Sequence, residues 1–227
     1  MFPTPIAKWQ PLNRGLYRIA VPVVLILWLL PLIAVLVTSM RSADEIMAGN
    51  YWGWPRDFSM WANYKEVLTG SPMLKYFWNS CRITIPSVLL ALALASMAGF
   101  ALATYDFKGN TLLFAIFIAG NFIPFQILMI PVRSLTLDLG LLDTVTGVVL
   151  FHMAFQTGFC TLFLRNFIKQ LPYELIEAAR VEGASEWTIF HKVVLPLIRP
   201  ALAALAVLVF TFVWNDYFWA LTLAQGD

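Results

Sequence analysis

Charge is what this sequence has least of. Only 12% of its 227 residues are Asp, Glu, Lys or Arg, about half the roughly 25% of a soluble domain. The charges also leave long intervals empty, and runs of about 18 or more uncharged apolar residues read as membrane-spanning helices. The net charge is +2 with no extended Lys/Arg run, which excludes a nucleic-acid partner held by an electrostatic footprint. Cysteine is scarce: Cys81 and Cys160 lie in or beside apolar runs without a CxxC spacing, so a disulfide framework or zinc site is not expected and both read as inert thiols. A Gly-x-x-x-x-Gly-Lys-Ser/Thr loop is missing as well, leaving no visible cradle for ATP phosphates.

What is present is apolar: 60% hydrophobic residues and a mean hydropathy of +0.74. The fold class is therefore an all-α integral membrane protein, a polytopic helical bundle. Lys8, Arg14 and Arg18 precede a first span over residues 19–40; it is too long for a signal-peptide core and lacks a clean cleavage site. An external segment follows over 41–82, with Tyr51, Trp52, Trp54, Trp61 and Tyr64 suited to a membrane–water boundary and a short helix expected near Trp61–Leu68. The second span, 83–105, is rich in small residues such as Ala91, Ala95 and Gly99, which let helices approach closely in lipid. A tight turn at 106–110 leads to a third span at 111–132. An external loop at 133–143, a fourth span at 144–164, a charged interval at 165–199 and a fifth span at 200–223 complete the reading, with 224–227 outside.

Orientation follows from Lys and Arg. An internal N-terminus gathers Lys8, Arg14, Arg18, Lys108, Arg165, Lys169, Arg180, Lys192 and Arg199 inside and leaves Arg41, Arg56, Lys65, Lys75, Arg82 and Arg133 outside. The 165–199 interval is then cytoplasmic. Within it, Pro172 suits the first turn of a helix, and Glu174 and Glu177 complement the dipole at its start. Ala178 and Ala179 favour helix and leave room for close contact. Gly183 can end that helix in a left-handed cap, Ser185 can cap a second one, and Pro196 is expected to stop it. Trp187, Phe190, Val194 and Leu197 recur at helical spacing on that second helix. On physical grounds alone, an amphipathic helix pair lying on the bilayer remains an alternative.

Polar residues at membrane depth are either interhelical glue or the wall of a solute path. The candidates are Asn121, Gln126, His152, Gln156 and Asn215. His152 and Gln156 share a helix face. Asp216 lies about 17 residues beyond Arg199, roughly 25 Å along a helix, which places it near the outer edge of a ~30 Å core. It is expected half solvated, within an interface belt of Trp214, Tyr217 and Trp219.

The string Glu177-Ala178-Ala179, Gly183, Leu195-Pro196 and Pro200 resembles the EAA motif of ABC importer permeases. Asn63-Tyr64, Asn79-Ser80, Ala101–Tyr105, Ile130-Pro131, Leu139-Gly140-Leu141, Leu171-Pro172 and Trp214-Asn215 extend the resemblance to the smaller permease subunit of maltose-type, carbohydrate-uptake transporters. That resemblance implies a multi-pass protein of a bacterial-type plasma (inner) membrane. It implies a non-catalytic subunit that forms half of the path for a sugar or a related polyol or glycerol-phosphate solute. The implied partners are a second permease subunit, a dimer of ATP-binding subunits that carries the ATP and Mg, and an external solute-binding protein.

The resemblance further implies that Glu177, Ala178, Ala179, Arg180, Glu182, Gly183, Ala184, Trp187, Leu195 and Pro196 form the surface coupled to the ATPase. Glu177 would be its polar anchor and Gly183 its turn. Trp187 and Phe190 would be buried in the ATPase cleft or against the permease. Glu182 departs from the family's usual Asp but keeps the charge. The family pattern continues to a sixth span, whereas this sequence stops at Gln225-Gly226-Asp227; five spans are expected where the family has six, as in a C-terminal truncation. Two other classes are alternatives: an ion-driven carrier, and a membrane-embedded enzyme using His152 with Asp216 or Glu177. The inferred topology separates those three residues.

Overall fold

The computed structural model describes residues 11–49 and 53–224; Lys8, Tyr51, Trp52 and Gln225–Asp227 fall outside the described residues. The chain divides into two compact units, Met1–Leu74 and Lys75–Asp227.

In the first unit, α1 (Pro11–Ser39) carries Pro22 and Pro31 inside it, which a membrane helix tolerates when neighbouring groups satisfy the freed carbonyls. After it come α2 (Ala43–Met47) and α3 (Met60–Thr69), so part of the expected external segment is helical. Asn63 explains how the segment folds back. Its side-chain amide donates to the carbonyls of Ser39 at 3.0 Å and Arg41 at 2.7 Å, groups that the end of α1 leaves unpaired. Glu45 accepts from the backbone N–H groups of Arg56 at 2.7 Å and Asp57 at 3.3 Å, and the buried Arg41 guanidinium donates to the carbonyl of Gly53.

The second unit is built on two long helices, α4 (Met73–Thr104) and α7 (Val145–Ile168). The small residues of α4 form one face: Val88, Ala91, Leu92, Ala95, Ser96 and Gly99 are buried, at the i, i+3, i+4 spacing of a helix stripe. At Gly99, α4 comes close to the backbone of α7. A Cβ there would sit 3.1 Å from the Arg165 backbone nitrogen and 3.2 Å from the Leu164 Cβ. Thr144 caps α7, its hydroxyl accepting from the Gly147 N–H at 3.0 Å, as expected of a β-region threonine before a helix.

The remaining helices are α5 (Asn110–Gly120), a 3₁₀ turn (Phe125–Leu128), α6 (Met129–Asp138), α8 (Glu174–Val181) and α9 (Glu186–Ile189). A π-helical turn (Phe190–Val194), α10 (Leu195–Leu197), α11 (Arg199–Trp214) and α12 (Phe218–Leu223) complete the described chain.

Among the described residues, three helices (α1, α4 and α7) are long and apolar enough to cross a membrane, or up to five if each of two bent pairs is one span. The expected third span, 111–132, runs through one of the bends. α5 stops at Gly120, and the axis turns by 92° before Phe125, because Pro124 cannot donate into the ladder and disfavours helical geometry in the residue before it. The expected fifth span, 200–223, is two helices, α11 ending at Trp214 and α12 beginning at Phe218. Pro196 does not stop the second helix of the charged interval either. It occupies the first turn of α10, where a missing N–H costs nothing, and the chain turns by 73° one residue beyond Leu197.

Candidate functional site

The residues from Pro172 to Pro196 make a helix pair with one anchored side and one open side. α8 carries Glu174 and Glu177 in its first turn and Arg180 in its last, an arrangement that suits the helix dipole. The chain reverses at Gly183, whose φ of +80° is a left-handed conformation that disfavours residues with a Cβ. Ser185 then caps α9, its Oγ accepting from the Thr188 N–H at 3.3 Å.

The anchored side is apolar. Ile176, Ile189, Phe190 and Val194 are buried in the same core as Leu92, Phe100 and Leu164. Phe190 lies 5.4 Å from the Phe100 ring, and Ala179, Ala184 and Leu195 pack partly against this core. The open side displays Glu177, Ala178, Glu182 and Gly183, together with Val181 at 89% and Trp187 at 64% exposure. The two aromatics with open fates in the sequence therefore part company: Phe190 belongs to this chain's interior, and Trp187 faces outward, stacked on His191.

A polar clamp fixes the pair's angle. Arg180 Nε donates to Glu186 Oε1 at 2.7 Å and its Nη2 donates to Oε2 at 3.1 Å. Glu186 Oε2 also accepts from the Tyr105 hydroxyl at 2.7 Å, and Arg180 Nη1 donates to the Tyr173 hydroxyl at 3.1 Å. The Arg180 hydrogen bonds, and then the one from Tyr105, hold the Glu186 carboxyl below the usual carboxylate range; Glu186 in turn raises Arg180. Tyr105, Tyr173 and Glu186 are not among the residues that the sequence resemblance assigns to this surface. Residues 180 and 186 do not share a helix face, and they meet because Gly183 reverses the chain between them.

The intramembrane candidates fall into two groups. His152 and Gln156 are buried, and His152 Nε2 lies 3.4 Å from Asp216 Oδ2. This corrects the expectation that His152 and Asp216 are far apart. Asp216 is not half solvated, since its side chain is 9% exposed; its carboxylate accepts from the backbone N–H groups of Trp219 at 3.1 Å and Ala220 at 3.3 Å. Trp219, assigned to an interface belt, is instead 1% exposed and lies 3.8 Å from the Phe151 ring; Tyr217 does face outward. An Asp three residues before a helical aromatic is a helix-cap signal that could have shown the start of α12.

Asn121, Gln126 and Asn215 are exposed and not part of this cluster. The Asn121 and Asn215 amides donate to the carbonyls of Phe117 and Thr211. Asn121 also lines a mainly apolar cavity of about 680 Å³ between α5, α6 and α7.

Comparison with known proteins bears on what the open helix pair is for. Residues 91–227 match the family described as the binding-protein-dependent transport system inner membrane component. The osmoprotective compounds uptake permease protein GgtD of Synechocystis sp. is 36% identical over 96% of this chain and 74% of its own length.

The chain belongs to this permease family.

The arabinooligosaccharides transport system permease protein AraQ of Halalkalibacterium halodurans is 34% identical over 97% of this permease and 79% of its own length. A bacterial ABC transporter that imports the acidic polysaccharide alginate includes a chain with a TM-score of 0.83 and 26% identity, matched over 98% of this permease and 78% of that chain. The permease is thus a multi-pass transporter subunit rather than an enzyme. The carrier and membrane-enzyme readings give way to it.

Proposed function

We propose that this permease carries a sugar or a related polyol or glycerol-phosphate solute, handed over by an external binding protein. In this reading it pairs with a second permease subunit to enclose the path. A dimer of cytoplasmic ATP-binding subunits, which holds the ATP and Mg, drives it through α8 and α9. The N-terminus lies in the cytoplasm, in keeping with the distribution of Lys and Arg. The uptake of arabinooligosaccharides and of alginate by its relatives supports the solute class.

The observation that carries the coupling role is the division of the helix pair into an anchored and an open side. Exposed apolar side chains on a helix pair whose other side is fixed in the bundle suit a partner that covers them. Here Trp187 and Val181 stand out from a motif whose other side is locked into the bundle. Glu177 and Glu182 add negative charge to that open side, and the small Ala178 lets a cleft wall come close. His152, Gln156, Asn121, Gln126 and Asn215 supply hydrogen-bonding groups for the membrane part of the path.

Reconstitution with the partner subunits tests this. Trp187→Ala and Gly183→Asp should insert normally but lose most solute uptake and most solute-stimulated ATP hydrolysis. Unchanged uptake in both would sink the coupling role. A complex that hydrolyses ATP with its binding protein yet takes up no radiolabelled oligosaccharide, polyol or glycerol phosphate would overturn the solute class and leave coupling standing.

A further inference from the structure

A second cavity, polar and of about 530 Å³, lies where α4 and α7 end. Its wall includes Arg165, Lys169 and Tyr173 on one side and Tyr105, Asp106 and Asn110 on the other. Two independent spans fix its depth. Residues 83–105 and 144–164 contain no Asp, Glu, Lys or Arg, and each run is about as long as a ~30 Å hydrocarbon core requires. The cavity therefore opens at the level of the lipid headgroups, whichever side of the membrane that is.

Its donors are arranged to receive an anion. Arg165 is held in place by its Nε–H, which donates to the Leu102 carbonyl at 3.2 Å, and by its guanidinium lying 3.7 Å over the Phe114 ring. Its two terminal amino groups make no hydrogen bond among the described residues, and neither Arg165 nor Lys169 has a carboxylate partner there. The Tyr173 hydroxyl accepts from Arg180 and keeps its own proton to give. Asp106 is the acidic member of the wall, with Lys108 two residues away in the same turn. A planar guanidinium beside an ammonium suits phosphate oxygens, and basic pockets between membrane helices at this level take anionic lipid headgroups.

We propose that this cavity binds the phosphodiester headgroup of an anionic glycerophospholipid, gripped by Arg165 and Lys169 and hydrogen-bonded by Tyr173. The proposal needs the membrane placement of the spans but not the solute or the coupling role.

Native mass spectrometry of the full chain, extracted from bilayers of equal parts phosphatidylglycerol and phosphatidylethanolamine, tests it. Phosphatidylglycerol should be retained in preference. The R165Q/K169Q variant should lower that retention several-fold, and the charge-keeping R165K/K169R variant should preserve it. If R165Q/K169Q fails to insert, K169Q alone, at an exposed position, should still reduce retention. Equal retention of the two lipids, or indifference to these substitutions, would overturn the proposal. So would displacement of the lipid by inorganic phosphate or glycerol 3-phosphate, which would assign the pocket to a soluble anion. Loss of the lipid when the ATP-binding subunits are added would assign it to a protein contact.

Discussion

Glu186 answers to two partners, Arg180 and Tyr105, and its carboxyl is held below its ordinary range by both. A depressed carboxylate adds stability at pH values above its unfolded pKa of about 4.3 and loses it as pH falls through the lower folded value. Both members of the ion pair are partly exposed, at 29% and 44%, so the contribution is at most about 1 kcal/mol. Thermal unfolding of the detergent-solubilised protein from neutral pH to about pH 3 should show this loss in the parent, and Glu186→Gln should remove that part of the pH dependence. The two neighbouring aromatics should separate just as cleanly. Phe190→Ala empties a core site and should cost about 3–5 kcal/mol, read as a lower unfolding temperature. Trp187→Ala should leave the stability within about 0.5 kcal/mol of the parent's while coupling is lost. Periodicity placed both residues on one helix, but it could not say which faces inward, because that depends on the partner surface offered by Phe100 and Leu164.

At the scale of the element, α12 depends on Asp216 twice, as the acceptor for its first free N–H groups and as the partner of buried His152. Asp216→Asn keeps a capping oxygen and should lose only the pairing, whereas Asp216→Ala should lose both, with about 1 kcal/mol more for the cap. Amide exchange across 218–223 would separate them: faster in the alanine variant, near parental in the asparagine one. This pair was out of reach of a residue count. Rise per residue gives length along a helix, not depth in the bilayer, and a helix leaving a 73° bend need not stand upright. Apolar content likewise runs through 111–132 as one span, and although Pro124 signals a loosened helix there, the sequence cannot give the 92° turn that the backbone makes. The Ser185 cap and the Gly183 reversal were legible, being set by local chemistry that needs no tertiary partner.

For the molecule as a whole, the small-residue face of the second span was legible as well, because small residues in a membrane helix have few uses besides close contact. On that face lies Gly99, where even one methyl group meets the backbone of α7. Gly99→Ala should cost about 1–3 kcal/mol by overpacking, and Gly99→Val more, measured by thermal unfolding in detergent. Neither neighbour at that spot is the yielding tip of a long side chain, so α4 and α7 cannot come closer at this point. The chain changes direction elsewhere, by 92° after Gly120 and by 73° at Ile198, and the second bend is itself packed, with Ile198 buried in the main core. A machine that opens first to one side of a membrane and then to the other needs an axle as well as doors. Rigid points matter to it as much as moving ones, and the contact of α4 with α7 at Gly99 is one of the rigid points.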